Sequence, residues 1–127
     1  MLAQNSKMIL PDLPVVDLER AREFYEGKLG FEPMEITEGG VLYRIGENSG
    51  FYIYQRGATK ADHTEASFVV DDVEGEVGEL RNKGVVFEEY DIPEMGIRTV
   101  NGISTFNGHQ EAWFKDTEGN ILSIGNG

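Results

Sequence analysis

Val15-Val16-Asp17-Leu18-Glu19-Arg20-Ala21-Arg22-Glu23-Phe24-Tyr25, closing at Leu29-Gly30-Phe31, is the stretch on which the fold turns. A β-branched run meets an aspartate, a helical period follows, and a glycine stops it. Leu18, Ala21, Phe24, Tyr25 and Leu29 fall on one face at helical spacing. Asp17 is placed to cap the free amides of the first turn, and Glu19 sits well against the positive helix end. Gly30 can take the left-handed conformation that ends a helix. The pattern then recurs. Val69-Val70-Asp71-Asp72-Val73 opens a second stretch that closes at Lys83-Gly84-Val85. Here Val73, Val77 and Leu80 make the apolar stripe, Asp71 or Asp72 the cap, and Gly84 the stop. Gly75 and Gly78 each weaken this helix by roughly 1 kcal/mol relative to Ala, so it depends on packing.

Strands flank both helices. Met8-Ile9-Leu10 runs through Pro11 and Pro14 to Val16, and two prolines argue for an edge strand or an irregular one. Phe31 to Thr37, Val41 to Ile45 and Phe51 to Gln55 follow, separated by turn-like Glu38-Gly39-Gly40 and Asn48-Ser49-Gly50. The second copy begins with Ala66 to Val70. It continues with Val85 to Tyr90, Glu111 to Lys115, a turn at Asp116-Thr117-Glu118-Gly119-Asn120, and Ile121 to Ile124. Each half reads β-α-β-β-β, an α+β arrangement. Modules 7–56 and 64–125, joined by the polar linker 56–64, make up one domain over 1–127. The segment Asp91 to Gln110 holds Pro93, Gly96, Gly102 and Gly108 with little periodicity. It reads as a long loop, with a binding lid and plain surface disorder weighing equally.

Of the 127 residues, 39% are hydrophobic and 27% charged, the balance of an ordinary globular domain. No stretch approaches the ~20 apolar residues of a membrane-crossing helix. Met1 to Lys7 lack the basic region and apolar run of an export signal. Without cysteine there is no disulfide framework and no thiolate chemistry, and a cytoplasmic location fits. Lys plus Arg is 11 against 23 Asp plus Glu, a formal charge of −12. So acidic a surface repels phosphate backbones, which makes nucleic acid a poor partner. It attracts cationic small molecules, although the plainer reading is that the charge keeps the protein soluble. No P-loop, dinucleotide fingerprint or nucleophile elbow is present.

Leu13-Pro14-Val15-Val16-Asp17 through Phe24-Tyr25, followed by Leu29-Gly30-Phe31, resembles the opening module of the vicinal oxygen chelate superfamily. That superfamily holds glyoxalases, bleomycin-resistance proteins and extradiol dioxygenases. Phe68 to Val73 is similar to its second-module opening. Ala112-Trp113-Phe114-Lys115-Asp116-Thr117-Glu118-Gly119-Asn120-Ile121-Leu122 is similar to its closing hairpin, with Thr117 where Pro is usual. The resemblance implies two βαβββ modules forming a curled mixed sheet around a concave cavity, helices outside, and a homodimer. In metal-dependent members, one His, Gln or Glu from each of four strands holds a divalent ion such as Ni, Zn, Mn or Fe. The corresponding positions here are Leu10, Tyr52 or Ile53, Glu65, and Ser123. Only Glu65 is a good ligand, and an open catalytic site needs about three. The resemblance therefore implies a degraded metal site, no metal, and a cavity that takes a small organic molecule. The alternative is a divalent-metal-dependent lyase, isomerase or dioxygenase whose ligands are Glu65 with His63, His109 or Glu111. His63 and His109 read more simply as exposed histidines.

Strand alternation reaches the cavity wall without the family. If Phe68 and Val70 face the helices, then Glu65, Ser67 and Val69 face the other way. The same holds for Ile121 and Ser123 against Leu122 and Ile124, and for Leu10, Asp12 and Pro14. The expected ligand pocket is Leu10, Asp12, Tyr52, Tyr54, Glu65, Ser67, Arg98, Trp113 and Ser123. Glu65 is a candidate general base if burial raises its pKa, unless it meets Arg98 or Arg44. Trp113, Tyr43, Tyr52 and Tyr54 are candidates to stack on a flat ligand. Asp17, Asp71 and Gly119 read as structural, and Asp116 to Asn120 as a tight turn without the later carboxylates of a calcium loop.

Overall fold

A computed structural model describes residues 1, 3–60 and 62–127 and the backbone of residue 2. The chain divides into two compact units, Met1–Thr59 and Lys60–Gly127. The division falls in the stretch expected to be a linker, of which residue 61 lies outside the described residues. Among the described residues, no helix is long and apolar enough to cross a membrane.

After a short α1 (Leu2–Asn5), the first unit runs β1 (Asp12–Val15), α2 (Leu18–Arg22), β2 (Pro33–Ile36), β3 (Gly40–Ile45) and β4 (Ser49–Gln55). Its sheet has the order β1-β4-β3-β2, with β1 parallel to β4 and the other pairs antiparallel. β1 stands at the edge of the sheet, where Pro14, which lacks an N–H, is tolerated. It is also shorter than expected: Met8 to Leu10 stay outside it, and only the Pro11 carbonyl reaches across, accepting from Tyr52 N at 2.9 Å. Asp17 caps α2 by accepting from Arg20 N at 3.0 Å. The helix then widens into a π-helical stretch, Glu23–Lys28, where Leu29 N reaches back five residues to Phe24 O. Neighbouring Phe24 and Tyr25 are both buried, with rings edge to face at 5.5 Å. Gly30, at φ +81°, ends the helix as expected. Leu13, Val15, Val41, Tyr43, Phe51 and Ile53 are buried, and Tyr25 packs onto Phe51 and Tyr43 at 5.3 and 5.9 Å.

The second unit runs β5 (Thr64–Val69), α3 (Val73–Asn82), β6 (Asp91–Ile92), β7 (Ile97–Val100), β8 (Ile103–Phe106), β9 (His109–Lys115) and β10 (Ile121–Gly125). The order is β5-β10-β9-β8-β7-β6, and β5 is parallel to β10. In both units, then, the strand before the helix lies parallel to the last strand, and the sequence repeat is a repeat of topology. Asp72, not Asp71, caps α3, accepting from Gly75 N at 3.0 Å. A Cβ on Gly75 would run into that carboxylate, so this glycine makes room for its own helix cap. Val73, Val77, Leu80, Val85 and Phe87 form the core with Ala112, Phe114, Leu122 and Ile124.

Two expectations for this unit are corrected. Val85 to Tyr90 is not a strand; only Phe87 bridges to Phe114. The alternation was real, since Val85 and Phe87 are buried while Val86 is 79% exposed, but β8 occupies the place beside β9. Asp91 to Gln110 is not a loop but a meander of short strands. Asn101-Gly102 and Asn107-Gly108 have φ of 54°, 82°, 51° and 81°, positive at both positions, as two-residue type I′ hairpin turns require.

Candidate functional site

Each sheet has one face under a helix and one face free of it, and the polar and aromatic residues of interest lie on the free faces. In the first unit, Asp12 pairs with Tyr52 and Pro14 with Tyr54, so all four share the face opposite Leu13 and Ile53. This settles the register at the fourth strand: Tyr52 is on the free face, and Ile53 is fully buried in the core. The Tyr52 and Tyr54 rings stack 6.3 Å apart with planes 5° from parallel. Gly40 lies beneath Tyr52, where any Cβ would collide with the ring and its hydroxyl. The missing side chain lets the tyrosine lie across the sheet. Leu10 precedes β1 and is half-buried.

Tyr43, a candidate stacking residue, belongs instead to the core. Its hydroxyl donates to Glu26 Oε2 at 2.8 Å, and Arg22 Nε donates to the same oxygen at 2.7 Å. Burial, then the Glu26 carboxylate, push the phenol well above its ordinary range. The Arg22 guanidinium holds the Glu26 carboxyl below its own. Arg44 is exposed and donates to the Glu47 carbonyl.

In the second unit, Ser123 is directly opposite both Ser67 on β5 and Trp113 on β9, which places all three on the free face. The buried Ser123 hydroxyl donates to Ser67 Oγ at 2.6 Å and lies 3.4 Å from Glu111 Oε1. The other Glu111 oxygen is 3.6 Å from His109 Nε2, whose Nδ1 is 2.9 Å from the Gly127 carbonyl. Gly125 keeps this line open, since a Cβ there would sit 3.0 Å from the Glu111 carboxylate. Trp113 meets Tyr90 edge to face at 5.5 Å, and burial, then Glu88, push the Tyr90 phenol upward. Tyr90 and the serine partnership of Glu111 were not foreseen, although Glu111 and Trp113 are two residues apart on one strand.

Glu65 and Arg98 lie elsewhere than simple alternation suggests. The β5–β10 register shifts between Ile121, paired with Thr64, and Leu122, paired with Ala66, so Glu65 is the extra residue of a bulge. A bulge re-aims its side chain and breaks the period of two. Burial, reinforced by the Asp116 carboxylate and opposed by His63, raises the Glu65 carboxyl above its ordinary range. Asp116 holds the β9–β10 turn, accepting from Glu118 N and Asn120 N at 2.8 Å each. Arg98 is two residues from Val100, which pairs through Ile103 to buried Ala112. It is therefore on the helix-bearing face, away from Ser67, Trp113 and Ser123, and it does not meet Glu65.

Residues 7–41 match the family model for the N-terminal part of bleomycin resistance protein-like chains. Among solved structures, TnmS3, an antibiotic-binding protein from Streptomyces sp. CB03234, is similar at 20% identity and a TM-score of 0.66, covering 94% of this chain and 93% of that one. A glyoxalase family protein from Enterococcus faecalis is similar at 16% identity and a TM-score of 0.70, with 98% and 99% covered. The oxidase ChaP-H2 follows at 18% identity and 0.69, with 97% and 94% covered. The chain has the glyoxalase/bleomycin-resistance fold. No curated protein matches it.

Metal-dependent enzymes of this fold need a converging donor set, and the residues at the positions that the sequence resemblance implies do not supply one. Leu10 has no donor atom, Tyr52 is stacked on Tyr54, and the Ser123 hydroxyl is committed to Ser67. Glu65 is the one good ligand among these positions, and it lies on a bulge. Among the described residues, no three His, Asp or Glu side chains gather where an ion could sit. The donor set does not fit a catalytic divalent ion.

Proposed function

We propose that this chain binds a small organic molecule on the helix-free faces of its sheets, without a metal. The observation that carries the reading is the Tyr52–Tyr54 stack, nearly parallel and backed by Gly40, which offers a preformed flat surface beside Asp12. Preformed sites of this kind combine apolar or aromatic walls with a few placed polar groups. The second unit supplies the same ingredients in Trp113, Tyr90 and the Ser67–Ser123 pair. The antibiotic-binding function named for TnmS3 is in keeping with this use of the fold. A charge of −12, with Asp12 and Glu111 on these faces, favours a cationic aromatic ligand. The working form in this reading is a cytoplasmic homodimer, as in many proteins of this superfamily.

The test is calorimetric titration with a panel of planar cationic antibiotics against the wild type and Tyr52→Ala. Saturable binding that weakens about 3- to 10-fold in the variant supports the reading, matching the ~0.5–1.5 kcal/mol of an aromatic contact. No binding across the panel overturns it. A second reading, a divalent-metal-dependent lyase, isomerase or dioxygenase with a rearranged ligand set of Glu65 with His63, His109 or Glu111, draws on the His109–Glu111 approach. Near-stoichiometric nickel, zinc, manganese or iron in protein purified without chelators would establish that reading in place of the first.

A further inference from the structure

The helix-bearing face of the second unit carries an open groove of about 650 Å³ between α3 and strands β7 and β8. Val77, Val100 and Ile103 make its apolar floor, and Arg81 and Arg98 bring two positive charges into it, with Glu74 also at its wall. Two of only 11 Lys and Arg residues thus meet in one concavity of a strongly acidic chain.

Both arginines have donors to spare. Arg81 is held in place, with Nη2 donating to the Asn101 carbonyl at 2.6 Å and its guanidinium 5.6 Å from the Phe87 ring centre. Gly102 permits that position, since a Cβ there would lie 2.7 Å from Arg81 Nη2. The remaining N–H groups of Arg81 have no partner among the described residues. The Arg98 side chain makes no hydrogen bond or ion pair among them either; only its backbone N–H is used, to Ser104 Oγ at 3.2 Å. Asp91 stands opposite Arg98 in the β6–β7 pair, yet its carboxylate forms no ion pair with it. Gly78 leaves the helix side of the groove empty, with nothing within 4 Å of a Cβ built there. Guanidinium groups with donors to spare and no carboxylate partner among the described residues, beside apolar side chains, match an anionic head joined to an apolar body.

We infer that this groove is a second binding site, separate from the helix-free faces, for an amphiphilic organic anion: a carboxylate or phosphate monoester on an apolar body. The head group is held by Arg98 and the free donors of Arg81, and the body lies along Val100 and Ile103. The inference stands whether or not the helix-free faces bind a ligand.

Two-dimensional amide NMR of the intact chain, titrated with octanoate and with octyl phosphate below their micelle concentrations, tests it. The expected result is saturable shifts centred on Gly78, Arg98, Asn101 and Ile103. Arg98→Gln should weaken binding about tenfold or more, the loss of one charge-assisted contact. Gly78→Leu, which fills the groove while improving the helix, should abolish it. Whichever probe binds tighter identifies the head group. Octanol and inorganic phosphate, each lacking one half of the ligand, should bind at least about tenfold more weakly. No saturation by either anion, equal binding of octanol, unchanged affinity in both variants, or shifts confined to the Tyr52 and Ser123 faces would each overturn the site. None of these outcomes bears on the antibiotic titration.

Discussion

Glu26 receives both the Arg22 guanidinium and the Tyr43 hydroxyl, and the first holds its carboxyl below the usual range. A depressed carboxyl pKa contributes stability above the unfolded value, lost as pH falls through the folded one. Glu26→Gln should therefore cost about 1 kcal/mol at neutral pH, a figure already reduced for the partial exposure of the pair. Urea unfolding over a pH series should show that cost shrinking once carboxylates protonate; a pH-independent cost would assign it to packing. Glu65 has the opposite sign, because burial raises it. Its contribution is present in acid and lost as pH rises through the folded value. Glu65→Gln should then stabilise the protein at neutral pH, by under about 1 kcal/mol after screening, with no gain in acid. Destabilisation at neutral pH would mean that the ionised carboxylate has a favourable partner. Neither sign follows from residue type, since both are glutamates and differ only in what folds against them.

The two Asn-Gly turns of the second unit separate backbone strain from packing. Gly108 at φ +81° has nothing within 4 Å of a built Cβ, whereas Gly102 at φ +82° would meet Arg81 Nη2 at 2.7 Å and Phe87 Cβ at 3.0 Å. Gly108→Ala should cost about 1 kcal/mol, the price of a left-handed residue with a side chain. Gly102→Ala should cost more, about 2–3 kcal/mol, because Arg81 or the Phe87 segment must move as well. Equal midpoints for the two variants in urea would show that Arg81 yields freely. These turns were legible: Asn-Gly between short apolar runs is the strongest local hairpin signal. What hid them is that β6, β7 and β8 have only two to four residues each, too few to show a period.

At the scale of the molecule, a net charge of −12 sets a background of self-repulsion. Raising salt from about 10 mM to about 150 mM shortens the screening length from about 30 Å to about 8 Å. The unfolding temperature should rise over that range, since screening relieves the repulsion among 23 acidic residues more than it weakens exposed ion pairs. A falling temperature would show that local pairs such as Arg22–Glu26 outweigh the global repulsion. Binding of a cationic ligand on the helix-free faces should weaken over the same range.

The capped helices, their glycine stops and the strand that opens each unit ahead of its helix were readable in the chain, while the strands between α3 and β9 were not. Each is decided by neighbours a few residues apart: Asp17 on Arg20 N, Asp72 on Gly75 N, Gly30 in its left-handed turn. Of the candidate site, the sheet faces of Asp12, Ser67 and Ser123 were readable from alternation. Choosing Tyr52 over Ile53 waited for the β1–β4 pairing. The bulge at Glu65, the turning away of Arg98 and the Ser67–Ser123–Glu111 line came only from strand pairing, with partners up to 56 residues apart. The reason is physical: a strand's period is two, so one residue of slip or one bulge moves a side chain to the other face, and only the partner strand determines which.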